Sequence, residues 1–252
     1  MFIFTHLLVK MNLIIDVGNT LIKLAVFKNG ELQIKKTTIK GDFFETLSEI
    51  KNKYSQIEKC IISSVGKISE AHLTKLKNIY SVLVLSHSTS IPFNNEYATP
   101  GTLGVDRIAL ISAAAVEYPN KNVLVIDAGT CITYDFLSED NNYKGGAISP
   151  GLQMRYKAMH TFTEKLPLLE AEPIGKYIGS STIGSLHSGA INGICYEIDG
   201  FIAAYATDFK NLTVILTGGD AHFLRDRLKN DIFATSNFLL QGLNHILEHN
   251  KH

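Results

Sequence analysis

A chain of 252 residues with 45% hydrophobic and 19% charged side chains has the composition of an ordinary folded protein, long enough for one large or two modest domains. Lys and Arg together number 24, as do Asp and Glu, so the charge balance offers no footprint for nucleic acid or an acidic membrane surface. Cys60, Cys131 and Cys195 lie far apart in sequence, which suits buried thiols in a reducing compartment better than a disulfide framework or a zinc site.

Met1 to Lys10 is apolar but short, with neither a basic leading segment nor a small-residue cleavage site. A signal peptide is therefore not expected, no run is long enough to span a membrane, and the cytoplasm is the expected location. From Leu13 to Phe27 the chain reads as an apolar strand, a tight polar turn and a second apolar strand. The turn between them, Asp16-Val17-Gly18-Asn19-Thr20, suits an anion: glycine lets the backbone approach closely and successive N–H groups can cradle phosphate. Thr20 adds a hydroxyl and Lys23 a cation; an ordinary hairpin turn is the alternative reading.

Asn29-Gly30 marks a further turn before a third strand, Glu31 to Lys40. Helical spacing covers Phe43 to Tyr54, with Asp42 as N-cap candidate. Cys60 to Val65 reads as a buried strand, Glu70 to Ile79 as a helix and Val82 to Leu85 as a short strand, an α/β order with an antiparallel start. The run from Asn94 is rich in turn residues up to Gly104 and then enters a helix, Asp106 to Glu117. Asp106 and Arg107 thus fall in a first helical turn, where exposed N–H groups and the dipole favour anions.

Val123 to Phe136 repeats the opening grammar, with Asp127-Ala128-Gly129-Thr130 between two apolar strands, about one small domain further on. The repeat predicts two related halves, each offering an acidic phosphate loop to a shared cleft. Gly145-Gly146 and Pro150-Gly151 flank a short strand, Thr161 to Gly175 reads as irregular, and a long helix is expected from Gly179 to about Phe209. Val214 to Thr217 is a buried strand running into Gly218-Gly219, where a flat ligand such as a nucleotide could approach the backbone. The last helix, Phe238 to His249, carries His245 and His249 four apart but lacks the glutamate of the zinc-protease motif.

Together these residues resemble the type III pantothenate kinases, members of the acetate and sugar kinase/Hsp70/actin superfamily. The resemblance rests on Asp16-x-Gly18-Asn19-Thr20 with Lys23, Gly104-x-Asp106-Arg107, Asp127-x-Gly129-Thr130-x-x-Thr133 and Thr217-Gly218-Gly219-Asp220, and extends through Gly146-x-Ile148-x-Pro150-Gly151 and Thr182. It implies an α/β fold of two ribonuclease-H-like, actin-like ATPase domains around an ATP cleft, read here as residues 11–117 and 118–252. It also implies transfer of the γ-phosphoryl of ATP to pantothenate, the first step of coenzyme A biosynthesis. Carried over residue by residue, Asp16 would hold Mg²⁺, while the turn through Val17, Gly18, Asn19, Thr20, Leu21, Ile22 and Lys23 would meet ATP, joined by Thr130. Gly218 and Gly219 would bound the adenosine. Asp106 would be the general base, and Tyr97, Gly104, Val105, Arg107 and Thr182 would grip pantothenate. Asp127 would bind a monovalent cation, K⁺ or NH₄⁺, and the family implies a homodimer; the charge balance and the absence of a spanning run lead to no nucleic-acid or membrane partner being expected. Two features depart from the pattern. Ala128 and Cys131-Ile132 stand where many relatives have a bulkier residue and Ala-Thr, leaving one hydroxyl fewer near the cation, and the ten leading residues have no family counterpart.

The competing readings are another phosphotransferase or phosphatase on the same scaffold, and a non-catalytic ATP-binding regulator. The first lacks a reason for Gly104-x-Asp106-Arg107 downstream of Tyr97. The second has no need of a base.

Overall fold

Leu13, Ile14 and Ile15 are fully buried, so both faces of strand β1 (Met11–Val17) are covered, as only an interior strand allows. A computed structural model describes residues 11–18, 21–64, 69–230 and 232–251 of the chain. β1 pairs antiparallel with β2 (Ile22–Lys28), as the hairpin pattern predicts, and Asp16 lies opposite Lys23. β3 (Glu31–Thr38) follows a two-residue turn in which Asn29 and Gly30 have φ of 51° and 86°, the mirror-image turn that Asn-Gly favours. Helix α1 (Phe43–Lys53) turns Phe43, Leu47 and Ile50 inward; Asp42 stands at its N-cap but makes no capping bond through its side chain. β4 (Lys59–Ser64), α2 (Glu70–Lys77) and β5 (Ser81–Val84) complete a sheet of order β3-β2-β1-β4-β5, whose last two strands run parallel to β1. The predicted end of β4 at Val65 lies outside the described residues.

After the two-residue strand β6 (Asn94–Asn95) and a single 3₁₀ turn, α3 spans Val105–Glu117. Then β7 (Val123–Ala128), β8 (Cys131–Leu137) and β9 (Asn142–Pro150) repeat the antiparallel start of the chain. Helices α4 (Leu152–Thr161), α5 (Thr182–His187) and α6 (Gly193–Asp208) precede β10 (Thr213–Thr217), α7 (Ala221–Arg225) and β11 (Phe233–Ala234). The second sheet therefore reads β9-β8-β7-β10-β11, the order of the first, with β6 added beside β9. Two sheets of one order, each starting antiparallel and continuing parallel, are the paired ribonuclease-H-like architecture that the sequence predicts.

The single helix expected from Gly179 to Phe209 is instead α5, a π-turn over Ser188–Asn192, and α6. Residues 179–181 do not open it because they lie against the helix: a Cβ on Gly179 would fall 2.3 Å from the Ser185 nitrogen. At the π-turn the Ser188 hydroxyl donates to the Tyr177 carbonyl and the Asn192 amide to Ser188 Oγ, side-chain bonds that accompany the widened turn.

The chain divides into two compact units that are not contiguous in sequence. The first takes the chain up to Pro92, Ala98–Val116 and everything from Leu239; the second takes Phe93–Tyr97 and Glu117–Phe238. In the first unit, α1 and α2 cover the face of Leu13, Ile15, Val17, Leu24 and Val26. The opposite face carries Asn12, Ile14 and Asp16, because side chains alternate along β1. The last helix, α8 (Phe238–His249), docks there: Asn12 Nδ2 donates to Asn244 Oδ1 and to Glu248 Oε1, each at 2.7 Å. A division at 117/118 assigns this helix to the second half, whereas its buried polar contacts tie most of it to β1. α8 also presses on α3, where a Cβ at Gly242 would fall 1.8 Å from the Ala109 carbonyl oxygen. Gly242→Ala should therefore cost about 1–3 kcal/mol, the usual penalty of overpacking, read as a lower midpoint in urea unfolding.

Candidate active site

Asp16 ends a buried strand, and its neighbours across the sheet are settled by register. Thr37 lies opposite Lys23, Lys23 opposite Asp16 and Asp16 beside Ser63, a row crossing four strands on one face. Asp16 is only 5% exposed, and its carboxyl is held above the usual carboxylate range. Burial is the main cause; the Lys23 ammonium, 3.6 Å away, opposes it, and the Asp106 carboxylate adds to it. The turn after β1 is closed by the Gly18 N–H donating to the Leu21 carbonyl at 3.0 Å. Asn19 and Thr20, two of the predicted phosphate contacts, lie outside the described residues. Val17 and Ile22 are buried, while Leu21 is exposed.

Gly104 immediately precedes α3 and accepts from the Ile108 N–H at 3.1 Å. Val105 and Asp106 form the helix's first turn, where the Arg107 N–H donates to Asp106 Oδ1 at 2.9 Å. That bond ties one oxygen of Asp106 to the helix start. Arg107 is buried, although arginine is rarely so. The structure thus brings Asp16, Lys23 and Asp106 together within the first unit.

In the second unit Asp127 occupies the place that Asp16 has in the first, near the end of the central strand. Its neighbours are Thr133 on β8 and Thr217 on β10. The Gly129 N–H closes the turn onto the Cys131 carbonyl at 2.9 Å, leaving Thr130 exposed. Gly218 has φ of 99°, and a Cβ there would fall 2.5 Å from Asp127 Oδ1 and 2.2 Å from the Ala128 carbonyl oxygen. Only glycine satisfies both conditions, so the strand–Gly-Gly turn seats directly against the second loop. Nothing lies within 4 Å of a Cβ built on Gly219, which leaves that backbone open. Tyr97 stacks on Tyr143 with ring centroids 6.0 Å apart, and Thr182 begins α5 beside a cavity of about 400 Å³ shared with Met159, Leu166, Ser185 and Leu186.

Ser63 escaped the sequence reading. Its only signal was a buried strand ending in small polar residues, and its position beside Asp16 comes from parallel pairing with a strand remote in sequence. Thr133 and Thr217 stand within the quoted motifs, but which residues they flank is likewise a matter of register.

Among the described residues no group of three or more His, Cys, Asp or Glu could hold a metal ion. Mg²⁺ does not need one, since it commonly takes one or two carboxylates together with substrate phosphates and waters. Asp16 fits that use: its ionised form is penalised by burial, and the Ser63 hydroxyl beside it is buried with no hydrogen-bond partner.

Two ribonuclease-H-like sheets, each with an aspartate next to the end of its central strand and a glycine turn beyond, are the architecture of the actin-like superfamily. A Campylobacter jejuni protein provisionally described as a conserved Baf-family transcriptional activator has the same fold, with a TM-score of 0.60 at 23% identity, covering 94% of this chain and 98% of that one. A glucokinase from an Antarctic psychrotroph superposes with a TM-score of 0.53 at 12% identity, covering 96% and 99%. The sequence model for type III pantothenate kinase matches residues 12–204. The type III pantothenate kinase of Christiangramia forsetii is 55% identical over 241 residues, covering 96% of this chain and 99% of the relative. That of Flavobacterium johnsoniae is 47% identical, covering 92% and 96%, and that of Porphyromonas gingivalis 38%, covering 95% and 98%. The chain belongs to the type III pantothenate kinase family, whose members phosphorylate pantothenate with ATP in coenzyme A biosynthesis.

The carboxyl of Asp16 has a stability consequence whose sign follows from linkage. With its folded value raised, the native state binds the proton more tightly than the unfolded chain. Stability is therefore lost as pH rises from the unfolded value toward the raised one, and stays lower above it. Asp16→Asn removes that penalty. Without ligands near neutral pH the variant should therefore melt at a higher temperature than the wild-type chain, read by differential scanning calorimetry. The difference should shrink below about pH 4, where the unfolded carboxyl is protonated too.

Proposed function

We propose that this chain transfers the γ-phosphoryl of ATP to the primary hydroxyl of pantothenate with Asp106 as general base. The observation that carries the reading is that Asp106 stands in the first turn of α3, near enough to Asp16 to disfavour its ionisation. A proton acceptor and a metal-binding carboxylate in one neighbourhood are what an in-line phosphoryl transfer to a hydroxyl requires.

Each residue then has a task. Asp16 would hold Mg²⁺, whose charge would offset that of the phosphates. The turn through Lys23 and the Thr130 hydroxyl meet the phosphates, while Gly218 and Gly219 bound the adenosine at a turn with no side chain to obstruct it. Arg107 presents a planar guanidinium whose paired donors match the carboxylate of pantothenate. Gly104, Val105, Tyr97 and Thr182 complete the substrate's surroundings. Asp106 takes the hydroxyl proton as the oxygen attacks, and its bond from the Arg107 N–H keeps the carboxylate oriented through the step. Asp127, flanked by Thr133 and Thr217, supplies an oxygen ligand for K⁺ or NH₄⁺. The cytoplasm is the setting, supported by three free cysteines, two of them buried. Among the described residues no helix is long and apolar enough to cross a membrane.

A homodimer is part of the reading. Between residues 162 and 196 the second unit exposes Phe162, Tyr177, Ile178, Ile183 and Tyr196, each more than half accessible. Exposed apolar side chains gathered in one stretch of chain support the reading of that region as an interface. Light scattering should find a dimer, and Tyr196→Glu should shift it toward monomer.

The decisive assay is phosphorylation of pantothenate by the purified chain with Mg²⁺ and ATP, in KCl and in NaCl. Asp106→Asn should lower kcat by about 10²–10⁴, the range for loss of a general base, with nucleotide binding retained. Activity that depends on K⁺ supports the role of Asp127, and activity indifferent to it removes that role alone. Binding of ATP without any phosphorylation of pantothenate overturns the reading in favour of a regulatory binding protein.

A further inference from the structure

Three hydroxyls among the described residues are buried with no hydrogen-bond partner: those of Ser63, Tyr80 and Thr133. Ser63 is the one beside Asp16, and it has no exposed surface at all. A buried hydroxyl left unpaired is a net cost, so its presence calls for a reason. Packing does not supply one. Cys60, Ile61 and Ile62 fill the rest of this strand's buried positions without a strong polar group, and alanine or cysteine would fill position 63 as well. Nor is burial of serine by itself the cause: Ser112, also fully buried, donates to the Ile108 carbonyl at 2.8 Å.

Register places Ser63 and Asp16 side by side on parallel strands, their side chains leaving the same face about 5 Å apart. Lys23 stands on the opposite side of Asp16, on β2. A carboxylate has about four lone-pair sites, so a partner on β2 leaves acceptor capacity toward β4.

We propose that Ser63 is a positioning residue of the phosphoryl-transfer site, its hydroxyl donating to the Asp16 carboxylate when nucleotide and metal are bound. With Lys23 on one side and Ser63 on the other, the carboxylate is held at a defined angle toward the metal and its waters. The inference rests on the reading of Asp16 as the Mg²⁺ carboxylate. It predicts that the hydroxyl is idle in the ligand-free protein and engaged in the loaded one, which a structural serine would not be.

The test uses the full chain, with Mn²⁺ as a paramagnetic stand-in for Mg²⁺ and a non-hydrolysable ATP analogue. Free Mn²⁺ is read by electron paramagnetic resonance. Ser63→Ala, and Ser63→Cys as a variant that keeps the side chain's size but has only a weak donor, should each weaken Mn²⁺ retention about tenfold, in keeping with loss of a charge-assisted bond. Melting without ligands should stay level or rise, and kcat should fall while KM for pantothenate holds. Unchanged Mn²⁺ affinity in both variants refutes the proposal, and a lower ligand-free melting point with that affinity intact marks Ser63 as structural. If the wild-type chain retains no Mn²⁺ with the nucleotide, or Asp16→Asn retains as much, the reading of Asp16 fails and the proposal goes with it.

Discussion

A carboxylate that is 5% exposed must be ionised against the loss of its water, and Asp16 carries that burden at the end of a strand covered on both faces. Burial outweighs the help that Lys23 gives, and the charge of Asp106 makes matters worse. The protein thus holds at this point a carboxyl whose ionisation is opposed by its surroundings. The position of Lys23 across the hairpin, the tight Gly18 turn and the placement of α3 all bear on that balance. A buried carboxylate of this kind costs the folded protein stability, a common trade between stability and function.

The two units reach the same topology with different chemistry at corresponding points. Each central strand ends in aspartate and turns through glycine, and each aspartate has a hydroxyl residue on its parallel neighbour, Ser63 in one and Thr217 in the other. The antiparallel neighbours differ: Lys23 faces Asp16, whereas Thr133 faces Asp127. A fixed ammonium suits a site that handles phosphates. Two neutral hydroxyls beside a carboxylate make that neighbourhood rich in oxygen groups. One scaffold therefore sets different side chains beside each aspartate through a substitution on a single strand.

How these parts are held explains why so many of the informative positions are small. The Gly218 turn lies so close to Asp127 and Ala128 that any side chain would displace the loop, and Gly242 lets α8 meet the α3 backbone. Both contacts join segments distant in sequence. Contacts this close leave the adjoining strand and helix ends little room to shift.

Much of this protein was legible from local pattern. The apolar runs on either side of Asp16 and Asp127, the Asn29-Gly30 turn and the repeated Asp-x-Gly grammar predict hairpins because alternation and turn chemistry act over a few residues. They also predict which residues stand near the strand ends, and the motifs they form carry the resemblance that implies an ATP-dependent phosphotransferase. What tertiary structure alone decided rests on pairings across long stretches of chain: Ser63 beside Asp16 and Asn12 bonded to Asn244 and Glu248. The return of α8 to the first unit and the break of the expected long helix at Ser188–Asn192 belong with them. No window of local sequence encodes such contacts, since their energy exists only after the sheets have formed and brought the partners together. Local sequence determined the elements and their acidic ends; long-range packing determined what stands beside each aspartate.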